Sequence, residues 1–324
     1  MMPPRFWQDS DAVVGRALAP LGWLYAEATA WRLRHANPWR APATVICVGN
    51  LTAGGAGKTP VVRDLAARLI KAGRRPAILS RGYGGRLRGP LAVDPERHSA
   101  ADVGDEPLLL ARDAPCWIAR DRAAGARAAI DGGADVILMD DGLQNPDLVQ
   151  DLRLVVVDGA IGFGNGRALP AGPLRERIAA GLGRADALIL IGEDSHRVEA
   201  RFGSTLPVLR AMLTLSDAES IKGGRLIAFA GIGRPEKFRL SLAEAGAEIV
   251  DFQPFADHHP FTESELEKLA DAAHRSNAAL ATTEKDWVRL PPSWRGRIRA
   301  APVELVWRDD GEIARLLERA FPHV

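Results

Sequence analysis

Cysteine is nearly missing: two residues, Cys47 and Cys116, in 324. They lie far apart in apolar runs and match no metal-ligand spacing, which excludes a disulfide framework and leaves buried free thiols in a reducing compartment as the expectation. Charge of one sign is also missing, since 42 basic residues face 41 acidic ones for a formal net charge of +1. That balance argues against a nucleic-acid partner, and any anionic ligand must be held by a local patch. No apolar run approaches the ~20 residues of a membrane-spanning helix, and the basic, apolar, small-residue order of a signal peptide does not head the chain. Repeats of fixed period and low-complexity tracts are lacking too, so solenoids and disordered arrays are set aside.

What is present is ample apolar material, 47% of residues with 26% charged, enough for two domains. Short continuous apolar runs alternate with helical patterns: "ATVICVG", "PAILS", "DVILMDD", "LRLVVVDG" and "ADALILIG". Continuous hydrophobicity marks strands covered on both faces, hence an α/β fold with a mostly parallel sheet flanked by helices. From about Leu215 the pattern restarts with "GRLIAFAGIGRPEKFRLSLAEAGAEIV" and "AALATTEKD". The expected division is an N-terminal amphipathic helix within 1–40, a nucleotide-binding domain over 41–215 and a smaller α/β domain over 216–324. In the first of these, Val14, Leu18, Leu21 and Tyr25 recur at helical spacing beside Trp23, Trp31 and Trp39, with Arg16, Arg32, Arg34 and Arg40 around them. Arginines beside aromatics suit the interface of an anionic bilayer, and packing on the chain's own domain is the competing expectation.

The stretch "VICVGNLTAGGAGKTPVV" carries the first chemistry. An apolar strand runs into Thr52, Ala53, Gly54, Gly55, Ala56, Gly57, Lys58 and Thr59, with Pro60 in the first helical turn, where its missing N–H costs nothing. Main-chain N–H groups of such a loop converge on phosphate oxygens, Lys58 reaches the terminal phosphates, and the Thr59 hydroxyl binds Mg²⁺. One departure is visible: Thr52 stands where the first glycine of this motif belongs. A metal partner is expected at the end of a neighbouring strand, and Asp140 and Asp141 follow "VILM" there.

Two further constellations could supply acceptor chemistry. Asp105 and Glu106 precede Pro107 at a helix start, where the helix dipole favours acids. His258 and His259 precede a helix whose capping box is Thr262 with Glu265. Asp105 and His258 brought together across a cleft would deprotonate a hydroxyl for attack on a γ-phosphate. "TTEKD" holds the letters of a guanine reader in the wrong order, and "AGIGRP" lacks the third glycine of a dinucleotide fingerprint. A kinase for a small soluble hydroxyl compound and a non-catalytic nucleotide switch remain open on these residues alone.

In order, "VGNLTAGGAGKTPVV", "LSRGYGG", "VGDEPLLLA", "DDGLQN", "GRALPAGPLRE", "FAGIGRPEKF", "DHHPFT" and "TTEKDWVRL" closely resemble the tetraacyldisaccharide 4'-kinase family of lipid A biosynthesis, over nearly the whole chain. Leu143 and Asn145 stand where that family usually has Phe and His. The resemblance implies transfer of the ATP γ-phosphate to the 4'-hydroxyl of an acylated glucosamine disaccharide 1-phosphate, by a peripheral enzyme docked through its N-terminal helix at the cytoplasmic face of the bacterial inner membrane. It implies ATP and Mg²⁺ as cofactors; the charge balance already sets nucleic acid aside, and no protein partner is inferred. It further implies Asp105 as base with His258 in support, Asp140 and Asp141 as metal acids with Glu106 as a further metal contact, Arg175 and Glu176 at the lipid headgroup, and a glycine-rich loop over Ser80 to Gly85 near that pocket.

Overall fold

The computed structural model describes residues 4–321. Its strands, in chain order, are β1 (Thr44–Gly49), β2 (Pro76–Ser80), β3 (Leu91–Ala92), β4 (Cys116–Ile118), β5 (Val136–Asp140), β6 (Leu152–Asp158), β7 (Ala187–Ile191), β8 (Val208–Leu215), β9 (Arg225–Ala230), β10 (Glu248–Pro254), β11 (Ala279–Thr283), β12 (Arg299–Ala301) and β13 (Val303–Trp307). Nine of them form one sheet in the order β13-β8-β7-β6-β1-β5-β2-β4-β3. It is parallel except where β13 and β3 pair antiparallel with β8 and β4 at its two edges.

Burial on both faces explains why the central strands read as unbroken apolar runs. Along β1, Ile46 and Val48 enter one core while Val45 and Cys47 enter the other, as successive side chains must in a strand. The first core is closed by Val61, Val62, Leu65, Ala66 and Leu69 of the Lys58–Lys71 helix, the second by Ala126 and Ala129 of the Arg122–Asp131 helix and by Leu174. Both cysteines are buried and free.

β10-β9-β11-β12 form a second, wholly parallel sheet, whose cores hold Phe229 and Leu266 on one face and Phe238 and Leu242 on the other. The expected smaller unit over 216–324 is not continuous in its pairing. β13 returns to the large sheet, Trp307 donates through Nε1 to Asp64 at 2.9 Å, and Ile313, Leu316 and Leu317 of the Asp310–Arg319 helix join the first core. The apolar face of that last helix is therefore spent on the large sheet.

The N-terminal segment forms two helices, Val13–Ala17 and Ala19–Arg34. Its pattern reverses the usual one. Gly15, Gly22, Ala26 and Thr29 face the protein, while Val14, Leu21, Trp23, Leu24, Tyr25 and Trp31 are exposed, Trp31 to 61%. The spacing of Val14, Leu21 and Tyr25 thus marks an outward face, with only Leu18 of that set half-buried. Close approach is the cause, because a Cβ at Gly22 would lie 2.6 Å from the Ala168 carbonyl oxygen.

Candidate active site

All the parallel strands of the large sheet end on one side, and the loops that carry polar chemistry gather there. After β1, Asn50 is fully buried; it donates to the Thr52 carbonyl at 2.7 Å and accepts from Lys58 Nζ at 3.1 Å. Thr52 pairs in extended form with Leu174, and Ala53 donates to the Pro173 carbonyl at 2.7 Å. That pairing is why a threonine is tolerated at the position of the missing glycine: the left-handed conformations of this loop fall on Gly54 and Gly57, at φ 114° and 85°. Gly57 caps the Lys58–Lys71 helix, and a Cβ there would meet Ile191 at 2.7 Å. The helix start thus presents its free N–H groups, with Lys58 and Thr59 in the first turn, to the space above β1.

Asp140 ends β5 and is buried, accepting from the Ser80 hydroxyl at 3.3 Å. Burial, together with the charges of Glu106 and Asp141 and against the pull of Lys58, pushes its carboxyl up to about 7. Asp141 sits at φ 55°, in the left-handed region. Lys58 Nζ lies 3.5 Å from it, and Arg175 Nη1 bonds both its oxygens at 2.9 Å. Burial would raise the Asp141 carboxyl, but Lys58 and Arg175 outweigh that and hold it below the ordinary value.

A buried acid held near neutrality between two other carboxylates is a donor set that a divalent cation would relieve. Among the described residues, no three acidic, histidine or cysteine side chains converge as a ready-made metal cage. That accords with Mg²⁺ in a P-loop, which takes one or two protein oxygens and completes its shell with phosphates and water. Thr59 and Asp140 or Asp141 would hold it.

Asp105 begins the Asp105–Leu110 helix and is buried. His258, from the smaller sheet's loop, places Nδ1 3.0 Å from Asp105 Oδ2. The angle is poor for a hydrogen bond, so Oδ2 keeps a buried lone pair without an aligned donor among the described residues. Burial raises the Asp105 carboxyl, yet the His258 ring, Lys285 and Arg289 outweigh it and leave the group ionised below the usual range. Glu106, expected as a metal contact, accepts from Lys285 Nζ at 3.0 Å.

The glycine-rich Ser80 to Gly85 loop lies against this pair. A Cβ on Gly104 would meet the Tyr83 carbonyl oxygen at 2.4 Å, and the exposed Tyr83 ring stands edge-on to His258, centroids 6.2 Å apart. Arg175 and Glu176 part company. Arg175 faces Asp141, whereas Glu176 is buried, both its oxygens taken by Arg184 at 2.9 and 2.8 Å and one also by Gln144 at 2.9 Å. Glu176, which the resemblance puts at the headgroup, holds Gln144, which in turn donates to the Asn50 carbonyl. Leu143 packs its Cβ against Gly49, and Asn145 closes a local turn with Asp147, so neither departure from the family pattern touches the acids.

Several site residues escape sequence reasoning: Asn50, Gln144, Lys285, Asp286 and Arg289. "TTEKD" fails as a guanine reader, and the longer "TTEKDWVRL" counts towards the family resemblance without any role for its individual residues. Its acid followed three positions on by an arginine was the signal of a helix-borne ion pair.

A glycine loop and lysine facing strand-end aspartates, with a carboxylate–imidazole pair beside them on a parallel sheet, defines a P-loop kinase. The chain belongs to the tetraacyldisaccharide-1-P 4'-kinase family, whose model matches residues 14–322. It is 54% identical to the tetraacyldisaccharide 4'-kinase of Rhodospirillum centenum, over 98% of this chain and 96% of that one. It is 55% identical to that of Gluconacetobacter diazotrophicus, over 98% of each. Among solved structures it is similar to LpxK from Aquifex aeolicus in complex with ATP, with a TM-score of 0.79 and 28% identity over 96% of this chain and 100% of that chain.

Proposed function

We propose that this protein transfers the γ-phosphate of ATP to the 4'-hydroxyl of a tetraacylated glucosamine disaccharide 1-phosphate, the lipid A 4'-kinase reaction, with Asp105 as base. The observation that carries the assignment is the ionised, buried Asp105 with a free oxygen beside His258, on the same sheet edge as Lys58 and Asp140.

Main-chain amides of the 52–59 loop and the Lys58 ammonium hold the β- and γ-phosphates. Mg²⁺, when bound by Thr59 and an Asp140 or Asp141 oxygen, supplies charge neutralisation on the transferring phosphoryl group. Asp105 Oδ2 takes the 4'-hydroxyl proton as that oxygen bonds phosphorus and the bond to ADP breaks; His258 stabilises the pair and steers its orientation. Arg175 releases one of its bonds to Asp141 to meet an anionic substrate phosphate. The smaller sheet closes over the site, excludes water and so suppresses ATP hydrolysis.

The acyl chains stay partly in the bilayer while the sugar enters. The exposed apolar face of the N-terminal helix supports peripheral docking, and among the described residues no helix is long and apolar enough to cross a membrane. The helix also touches the site loops: Arg32 donates to the Gln144 carbonyl at 3.3 Å, and Glu27 pairs with Arg177 at 2.6 Å. Docking at the cytoplasmic face of the inner membrane would deliver ATP and lipid to the same cleft. Incubation with [γ-³²P]ATP and the tetraacyldisaccharide 1-phosphate, resolved by thin-layer chromatography, tests the reading. Label in the lipid supports it; ADP release without lipid label would return the protein to the switch class.

A further inference from the structure

Asp286 is wholly buried in the short Glu284–Trp287 helix, and it is used four ways. Both its oxygens accept the Gly231 N–H at 3.1 Å, Oδ2 accepts the Thr283 hydroxyl at 2.6 Å, and Oδ1 pairs with the Arg289 guanidinium. Arg289 Nη2 donates in turn to the Gly231 carbonyl at 2.8 Å. The same carbonyl accepts the main-chain N–H of His258 at 3.0 Å. Asp286 and Arg289 thereby grip both sides of the one residue from which the His258 backbone hangs.

His258 needs such a grip. Its φ of 58° is a left-handed conformation that a histidine holds only where the surroundings over-determine it. Nor can the loop be loosened at Gly231, where a Cβ would lie 3.0 Å from the Ala256 carbonyl and 3.2 Å from His259. Arg289 also brings Nε to 3.7 Å from Asp105 Oδ2, so one guanidinium addresses both members of the catalytic pair.

The neighbouring residues bolt this assembly to the nucleotide half. Glu284 takes Arg63 of the Lys58–Lys71 helix at 2.6 Å, and Lys285 takes Glu106, next to Asp105, at 3.0 Å. A buried ion pair is a poor way to gain stability and a good way to fix geometry. We propose that the Asp286–Arg289 pair is a positioning device that sets His258 opposite Asp105, with Asp286 acting on phosphoryl transfer only through that histidine. The proposal rests on the reading of His258 as the partner of Asp105.

A double-mutant cycle on the full chain tests it. Asp286→Asn and Arg289→Lys are each made in the native and the His258→Ala background, and kcat and the KM for ATP are measured with radiolabelled transfer. The expected result is about a tenfold or larger fall in kcat for Asp286→Asn in the native background, with the KM for ATP within about twofold, and under about twofold further loss once His258 is gone. Arg289→Lys keeps the charge but loses the fork and should follow the same pattern. Equal losses in both backgrounds, no loss, or a loss confined to KM would overturn the positioning role. Thermal melts accompany each variant, and if Asp286→Asn melts without a cooperative transition the Arg289→Lys cycle decides by the same criteria. An unchanged kcat for His258→Ala alone would instead sink the catalytic reading of that histidine, and this proposal with it.

Discussion

His258 Nδ1 stands 3.0 Å from Asp105 Oδ2, one residue carried by the small sheet and the other by a helix of the large one. The contact therefore exists only when the two sheets are held together, which makes it a natural gate for chemistry. Asp105→Asn keeps the size of the side chain and removes the proposed base, so kcat should fall by roughly 10²–10⁴, the range for a general base. ATP affinity, set by the 52–59 loop, should stay within about twofold. Equilibrium nucleotide titration beside lipid phosphorylation checks both halves, and near-normal turnover would remove Asp105 from its role.

The phosphate loop yields a paired prediction. Thr52→Gly should leave ATP binding nearly unchanged, because Thr52 is extended and bridged to Leu174 and does not use the freedom a glycine offers. Gly57→Ala should weaken binding by at least about tenfold, since φ 85° and Ile191 at 2.7 Å both oppose a Cβ at the helix cap. Equal affinities for the two variants would mean that the loop's shape does not depend on where its glycines fall.

How far the sequence could carry these inferences depends on the range of the interaction. The parallel sheet was legible because β1, β5 and β7 are buried on both faces and so carry continuous apolar runs. The phosphate loop and strand-end acids were legible because their chemistry is local in sequence. The return of β13 was not: Val303–Trp307 alternates in burial like any edge strand, and nothing in it names β8 as its partner. The Asp286–Arg289–Gly231 network was hidden for the same reason, each member being ordinary until the fold brings them together. Arg175 and Glu176 are neighbours in sequence, yet the fold sends Arg175 to Asp141 and Glu176 to Arg184, a separation that sequence adjacency does not show.

The N-terminal helix separates packing from docking. Gly22→Leu would force a side chain against the Ala168 carbonyl and should destabilise the protein by about 1–3 kcal/mol, as overpacking does. Trp23→Glu with Trp31→Glu changes residues exposed to 56% and 61% and should leave the melting temperature within about a degree or two. The double variant should nonetheless lose flotation with anionic liposomes, because charge replaces the aromatic face. Flotation equal to that of the native protein would show that the helix is not the docking element.

The loop carrying His258 is also tied from its other end, and there the tie depends on pH. Glu265 accepts the Thr262 N–H and hydroxyl at 2.8 Å each and lies 3.0 Å from His259 Nε2. The Thr262 backbone bond first, then its hydroxyl and His259, hold the Glu265 carboxyl down at about 2. A folded-state value below the unfolded one means that the unfolded chain binds the proton more readily on the way down. The stabilisation is therefore complete above the ordinary glutamate value and drains away as pH falls from about 4.5 towards about 2. Glu265→Gln should melt below the native protein at pH 7, and the gap should close by about pH 2. Because the contact is exposed, the gap at pH 7 should be modest, about the size of one lost cap. A gap that widens on acidification would reverse the sign and show that Glu265 steadies the loop in its protonated form.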